Sequence, residues 1–347
     1  MPEKTFTPRE LFVKTLPFVW AKLIVQAIAL VVGGLLIWGG IFLLSRNTAM
    51  GLVTLIFIVI GASVYMLIVR YMGYLIKAGH IAVLTEAVTT GVIPDNQVEY
   101  GKNKVKERFA TSSVFFVLDK LIRGAVKQVQ KGLTKLVGGI AGAVPQLGPL
   151  VNFANALIGT VLGYVDECVI GWIFHNDKEQ SAWKGAADGV VIYFQNWKKI
   201  LGNAAITVAI TWVITFVVGY IISMIFGAIM PSVSGLGGFA VLILGLLVAF
   251  SLKAAFIDSY VLVRMLHTFM TVAPTTEIKF DLYNKLSGMS RSFKNIFSKI
   301  PKDEVSNAAA SSAAPPAAAA APAFCGECGA KAAPNEKFCG ECGKPVV

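Results

Sequence analysis

Ile200 to Met230 is a run of 31 residues without a charge. Roughly 20 apolar residues cross the hydrocarbon layer of a bilayer, so this run restricts the chain to folds that live in a membrane. Leu236 to Leu252 is a second uncharged run, and its apolar character continues to Val263, broken only by Lys253 and Asp258. The two runs read as helical spans at about 199–230 and 237–265. The N-terminal part repeats the plan. Trp20-Ala21-Lys22-Leu23-Ile24 opens one long apolar run and Trp197-Lys198-Lys199-Ile200-Leu201 opens the other. Gln26-Ala27 stands where Asn203-Ala204 stands. Tyr65 precedes Arg70 at the exit of one second helix, and Tyr260 precedes Arg264 at the exit of the other. With spans at about 20–44 and 51–77, the chain reads as a duplicated two-helix hairpin. Convergent composition is the alternative, because Trp and Lys favour bilayer edges in any protein.

Composition supports the membrane reading. Hydrophobic residues make up 55% of the chain and charged ones only 15%, where soluble domains carry about a quarter. The net charge of +11 sits mostly in loops. Basic clusters separated by long apolar runs suit the anionic headgroups of a cytoplasmic leaflet better than nucleic acid. Met1 to Lys14 holds Glu3, Lys4, Arg9, Glu10 and Lys14, and no small-residue cleavage site ends the first apolar run. The first span is therefore expected to be retained.

Four shorter segments are amphipathic. Thr7-Pro8-Arg9-Glu10 has the form of a capping box with proline at the first helical position. It opens a stretch whose Leu11, Phe12, Leu16 and Val19 are expected on the membrane surface, and Ala182 to Phe194 plays the same part before the third span. Across 113–137, Val114, Leu118, Leu121, Ile122, Ala125, Val129, Leu133 and Leu136 recur at helical spacing. Lys120, Arg123, Lys127, Lys131 and Lys135 occupy the other side. That pattern predicts an in-plane basic helix facing lipid phosphates; the alternative is a helix packed on protein. Leu282 to Ile300 is a further basic amphipathic stretch. Gly33, Gly34, Gly39 and Gly40 give the first span a small-residue surface for close helix approach.

The remaining apolar segment, 138–174, decides the topology. Lys and Arg favour the cytoplasmic side. Four spans place every basic cluster, and both termini, on that side. The expectation is therefore four spans plus a re-entrant segment turning at Pro145 to Pro149, with a fifth full span as the alternative. Breaks in helical backbone at membrane depth need protein cover or a water-filled cavity.

The C-terminal tail carries the sharpest motif. Phe324-Cys325-Gly326-Glu327-Cys328-Gly329 recurs as Phe338-Cys339-Gly340-Glu341-Cys342-Gly343. Four thiolates from Cys325, Cys328, Cys339 and Cys342 suffice for one tetrahedral zinc ion, and an all-cysteine set makes the site structural. So short a segment has no core, so metal binding would supply its folding energy. An Ala/Ser/Pro-rich linker at 301–323 separates this 324–347 module from a membrane domain at 1–300. Cys168 stands apart and reads as a packing residue.

The tail resembles the short zinc ribbon found at one end of many uncharacterised polytopic membrane proteins of bacteria and archaea. The segment Tyr164-Val165-Asp166-Glu167-Cys168, with Ser181-Ala182, Asn196 and the long spans, resembles choline transporter-like proteins, which have more spans and a different spacing.

Asp166 and Glu167 form the second candidate site, since ionisable groups inside apolar segments are costly and often functional. Lys253 is their natural partner by charge, with Asp258 competing for it. Tyr260, Arg264 and His267 fall near the same helical face as Lys253. The bland alternative is that all of these snorkel or cap. No enzyme signature is present: the histidines His80, His175 and His267 are scattered, and GxSxG, HExxH and GxxxxGK[ST] are absent. The expectation is thus an all-α, polytopic, non-enzymatic protein of the cell membrane. It is a scaffold or adaptor contacting a protein partner through a cytoplasmic zinc ribbon, with homo-oligomerisation open. The alternative is a transporter or channel for a small amphiphile or ion.

Overall fold

The computed structural model describes residues 5–46, 51–109, 112–143, 148–176, 180–229, 245–278 and 280–304, and the pairs 323–324 and 331–332. Residues up to Ile300 form one compact unit and those from Pro301 onward a second. All the regular secondary structure among the first unit's described residues is helical. Four of its segments are long and apolar enough to cross a membrane: Leu16–Gly40, Gly51–Thr90, Asn155–His175 and Gly245–Thr275. A further helix contains the apolar stretch Ile206–Ile222.

The chain starts with α1 (Pro8–Lys14). The expected capping box is formed: Thr7 Oγ1 accepts from the Glu10 amide, and Glu10 accepts from the Thr7 amide at 2.8 Å. It leads into α2 (Leu16–Arg46), which is followed by α3 (Gly51–Thr90). These two pair along their length because small residues let the backbones meet. A Cβ on Gly61 would lie 2.8 Å from the Gly33 carbonyl oxygen, and one on Gly40 would lie 2.6 Å from Phe57 Cβ. Gly34 and Gly39 face open space instead, so only the heptad-spaced Gly33 and Gly40 build the expected contact surface. Gly91, at φ 75°, stops α3 in the left-handed region that glycine tolerates.

The N-terminal half of α3 exposes Leu52, Leu55, Val59, Met66 and Leu67, whereas Ala78 to Thr85 are all buried. α2 likewise exposes Ile28, Val31, Leu35 and Trp38. α9 (Trp197–Ile229) exposes Ile206, Val213 and Phe216, the last 78% accessible. Contiguous exposed apolar surface on this scale is a liability in water and is at home in lipid. This is a membrane protein.

The core gathers at the other end of these helices. α4 (Gln97–Phe109) crosses α3 where a Cβ on Gly101 would meet the Gly79 carbonyl oxygen at 2.6 Å. α5 (Ser112–Ala143) follows, then α6 (Gly148–Leu162) and α7 (Val165–His175). Every residue from Val165 to Phe174 is buried. Around α7 pack α3, α5, α8 (Ala182–Gln195) and α10 (Gly245–Thr275). Gly185 and Gly189 of α8 let it close on Ile173 and Val169. Each fully buried Ile, Val, Leu or Phe contributes about 1.5–3 kcal/mol, so this cluster anchors the domain. α11 (Phe280–Met289) and α12 (Arg291–Phe297) seat Tyr283, Leu286, Phe293 and Ile296 against α5 and α8.

The amphipathic segments differ from the expectation. Leu118, Ile122, Ala125, Val126 and Val129 of α5 are buried beneath protein, with α6, α7 and α12 as neighbours. Ser290 Oγ donates to Gln128 Oε1 at 2.6 Å and locks α12 onto α5. Leu11 and Val19 are likewise buried, α1 lying on α10. These apolar stripes are covered by neighbouring helices. Helices buried against each other remove both stripes from water at once, which a bilayer surface does only halfway.

The turn expected at Pro145 to Pro149 lies largely outside the described residues. The break that the structure describes is at Gly163-Tyr164, between α6 and α7. In the second unit, Ala323–Phe324 and Lys331–Ala332 pair as two short antiparallel strands, with Ala323 opposite Ala332. Cys325, Cys328, Cys339 and Cys342 lie outside the described residues.

Candidate functional site: a charged cavity between broken helices

Two interruptions of regular helix face each other's neighbourhood. One is the Gly163-Tyr164 break. The other is a π-helical turn over Lys253–Ile257 within α10. A π turn widens the helix and leaves backbone polar groups poorly paired, and such turns recur at functional sites. Between them lies a cavity of about 310 Å³ lined by α2, α3, the α6–α7 break and α10. Its polar lining is Lys22, Gln26, Lys77, Tyr164, Glu167 and Asp258. Non-helical backbone at this depth is tolerable because it borders that cavity.

Helical spacing explains the placement. Lys22 and Gln26 are one turn apart on α2 and both are buried, 9% accessible each. Asp166 and Glu167 occupy the first turn of α7, where the helix dipole favours carboxylates. Lys77 of α3 bridges them, with its Nζ 2.8 Å from Glu167 Oε1 and 3.5 Å from Asp166 Oδ2. Behind this pair, Arg123 of α5 donates from Nη2 to Asp166 Oδ2 at 2.7 Å and from Nε to Asp119 Oδ2 at 2.9 Å. The result is a continuous chain of five charges: Glu167, Lys77, Asp166, Arg123, Asp119. Burial, and then the neighbouring Asp166, push the Asp119 carboxyl up to about 6 against the pull of Arg123 and Lys77. Burial works against the Arg123 charge, but Asp166 and Asp119 outweigh it and hold its proton above the ordinary guanidinium value.

The expected partner of Asp166 was Lys253. The structure gives Lys253 to Asp258 instead, at 2.6 Å across the π turn. Asp258 also accepts from Tyr164 Oη at 3.5 Å. The competitor wins because the π turn brings positions 253 and 258 together on one helix. Tyr260 leaves the site and stacks edge-on against Phe12 of α1, ring centroids 5.5 Å apart. His267 Nε2 meets the Phe6 carbonyl oxygen at 3.1 Å. Arg264 does not line the cavity, and its Nε is buried without a partner.

The chain matches no family model, no curated protein and no solved structure.

Sequence reasoning missed Lys22, Gln26, Lys77, Asp119 and Arg123. Lys22 reads as an edge lysine of the first span, and Arg123 as one of a row of surface cations. One signal was available. Asp119 and Arg123 stand one helical turn apart, and they are the oppositely charged pair in an otherwise lysine-rich face. Cys168 is buried and free, as a packing residue should be.

Proposed function

We propose that the membrane domain binds a small charged or amphiphilic solute in the cavity and passes it across the bilayer, as a transporter or channel without enzymatic chemistry. The cavity itself carries this reading. Charges inside an apolar layer are expensive, and a scaffold has no need of six polar groups around an open space between two broken helices. Its volume lies at the lower end of the range for small-molecule sites. The test is uptake of isotope-labelled solutes by liposomes reconstituted with the full chain. A panel of small charged, zwitterionic and amphiphilic solutes should include at least one that accumulates, and Lys77→Met should abolish that uptake. Uptake no different from empty liposomes across such a panel would defeat the proposal.

A second activity is favoured by a separate observation, the doubled Cys-x2-Cys knuckle. We read residues 324–347 as a zinc ribbon holding one structural Zn2+ and contacting a protein partner, with the 301–323 linker as its tether. Four closely spaced cysteines fit a closed tetrahedral site. Removing residues 306–347 separates the two activities: flux should persist while the partner is lost.

The fitting topology is a cell-membrane protein with both termini cytoplasmic and with the 45–50 and 231–238 connections outside. It has four spans in two duplicated hairpins, around the segment that ends in α7. The order short helix, long helix, long helix supports the duplication, since α1-α2-α3 is matched by α8-α9-α10. Basic residues on α5 would then face anionic headgroups.

A further inference from the structure

We propose that the solute is a small zwitterion, its anionic group held by Lys22 and its cationic group by Glu167. This deepens the solute-binding reading and rests on it.

The inference comes from where the charges fail to meet. In the chain of five, the three carboxylates of Asp119, Asp166 and Glu167 face only two cations, Lys77 and Arg123. One acidic group is in excess of the cations. The opposing positive charge is Lys22, which lines the same cavity. Lys22 makes no ion pair with a carboxylate among the described residues; its Nζ donates to Ser259 Oγ at 2.8 Å. An ammonium has three protons to donate, so two are left for an occupant. Lys253 does not help balance the excess, because Asp258 already engages it.

The acceptors show the complementary shortfall. Glu167 spends Oε1 on Lys77, but its Oε2 is buried with no hydrogen-bond partner. Gln26 Oε1, on the same helix face as Lys22, is also buried without one. Unpaired polar atoms in a low-dielectric site cost free energy that a fitting ligand recovers. A solute with only a negative charge satisfies Lys22 and leaves the carboxylate side unmatched. A solute with only a positive charge does the reverse. A zwitterion bearing N–H donors satisfies both, and its two charges need no net desolvated charge in the apolar layer.

The test uses the full chain in nanodiscs and equilibrium binding by calorimetry. The probes are γ-aminobutyrate and ε-aminohexanoate, with butyrate and butylammonium as singly charged counterparts of the first. At least one zwitterion should bind saturably and roughly 10-fold or more tighter than both singly charged probes, the discrimination expected when buried polar groups are left unpaired. Lys22→Met should remove that preference. Gln26→Leu, a milder change, should weaken zwitterion binding while leaving butyrate binding unchanged, and unliganded melting curves identify any variant that fails to fold. Butyrate or butylammonium binding as tightly as the zwitterions would overturn the zwitterion assignment and leave the solute-binding reading standing. Binding by none of the four probes would overturn the assignment and count against that reading too, as would a cavity that holds water alone.

Discussion

Arg123 Nη2 lies 2.7 Å from Asp166 Oδ2, joining a half-exposed guanidinium on α5 to a carboxylate that is 2% accessible on α7. The contact is sequence-remote and ties the basic helix to the centre of the domain. Together with Lys77 it makes Asp166 the hub of the charge chain, since two cations from two different helices converge on one carboxylate.

Lys77→Met takes the cation from two buried carboxylates and should therefore destabilise the protein by about 3–5 kcal/mol, the range for stranding a buried charge. Asp166→Ala should cost less, because Lys77 keeps Glu167 and the half-exposed Arg123 keeps Asp119. Glu167→Gln introduced beside Lys77→Met should recover part of the loss. The same Glu167→Gln beside Lys253→Met should recover nothing, because Lys253 belongs to Asp258. Thermal melting in detergent reads these variants together with Lys253→Met alone. Recovery in the Lys253 background would transfer the pairing to the wrong helix and refute the charge chain.

The α2–α3 contact predicts a contrast between neighbouring glycines. A Cβ at Gly61 meets the Gly33 carbonyl oxygen and Ile37 Cγ1, each at 2.8 Å, while one at Gly34 meets nothing within 4 Å. Gly61→Ala should cost about 1–3 kcal/mol through overpacking. Gly34→Ala should be neutral or slightly stabilising in the same melting assay. Equal behaviour of the two would mean that the helices do not approach at Gly61.

Asp119 predicts a pH dependence. Its folded-state value, about 6 against an ordinary 3.8, means that the folded state holds this proton more tightly than the unfolded chain. The sign follows: its stabilising contribution is complete below the ordinary value and is lost as pH rises through about 6. Asp119→Asn keeps a neutral side chain at every pH and removes that loss. Melting temperatures of wild type and variant should agree near the lower limit and diverge above the upper, the variant being the more stable. A constant gap across the window would show that Asp119 does not titrate there.

The tail predicts metal dependence confined to the second unit. Full-length protein should carry one zinc per chain, and Cys339→Ser should lower both occupancy and affinity. Chelation should leave the melting of the membrane domain unchanged. Metal analysis finding no stoichiometric zinc, or unaltered affinity in Cys339→Ser, would defeat the ribbon assignment.

Much of this was readable from residues alone. Uncharged runs such as Ile200 to Met230 fix the membrane class because no other environment accepts so long an apolar helix. Thr7 and Glu10 mark the start of α1 because capping is a local event, completed within four residues. Helical periodicity in α5 was equally legible, as was a small-residue surface on α2, although which of Gly33, Gly34, Gly39 and Gly40 meet α3 was not.

What covers an amphipathic face is not local. The stripe of Leu118, Ile122 and Val129 is apolar whether lipid or protein lies over it, and only the approach of α6, α7 and α12 decided for protein. The pairing of Asp166 is of the same kind. Its partners Lys77 and Arg123 stand 89 and 43 residues away, and charge alone could not rank them above Lys253. The π turn over Lys253–Ile257 settled that choice by turning Lys253 toward Asp258. Sequence determined the environment, the helices and their caps, since these depend on composition and on contacts within a few residues. Tertiary structure decided which charges meet and which, like Lys22 and Glu167, face a cavity, because ion pairing depends on distance in space and not along the chain.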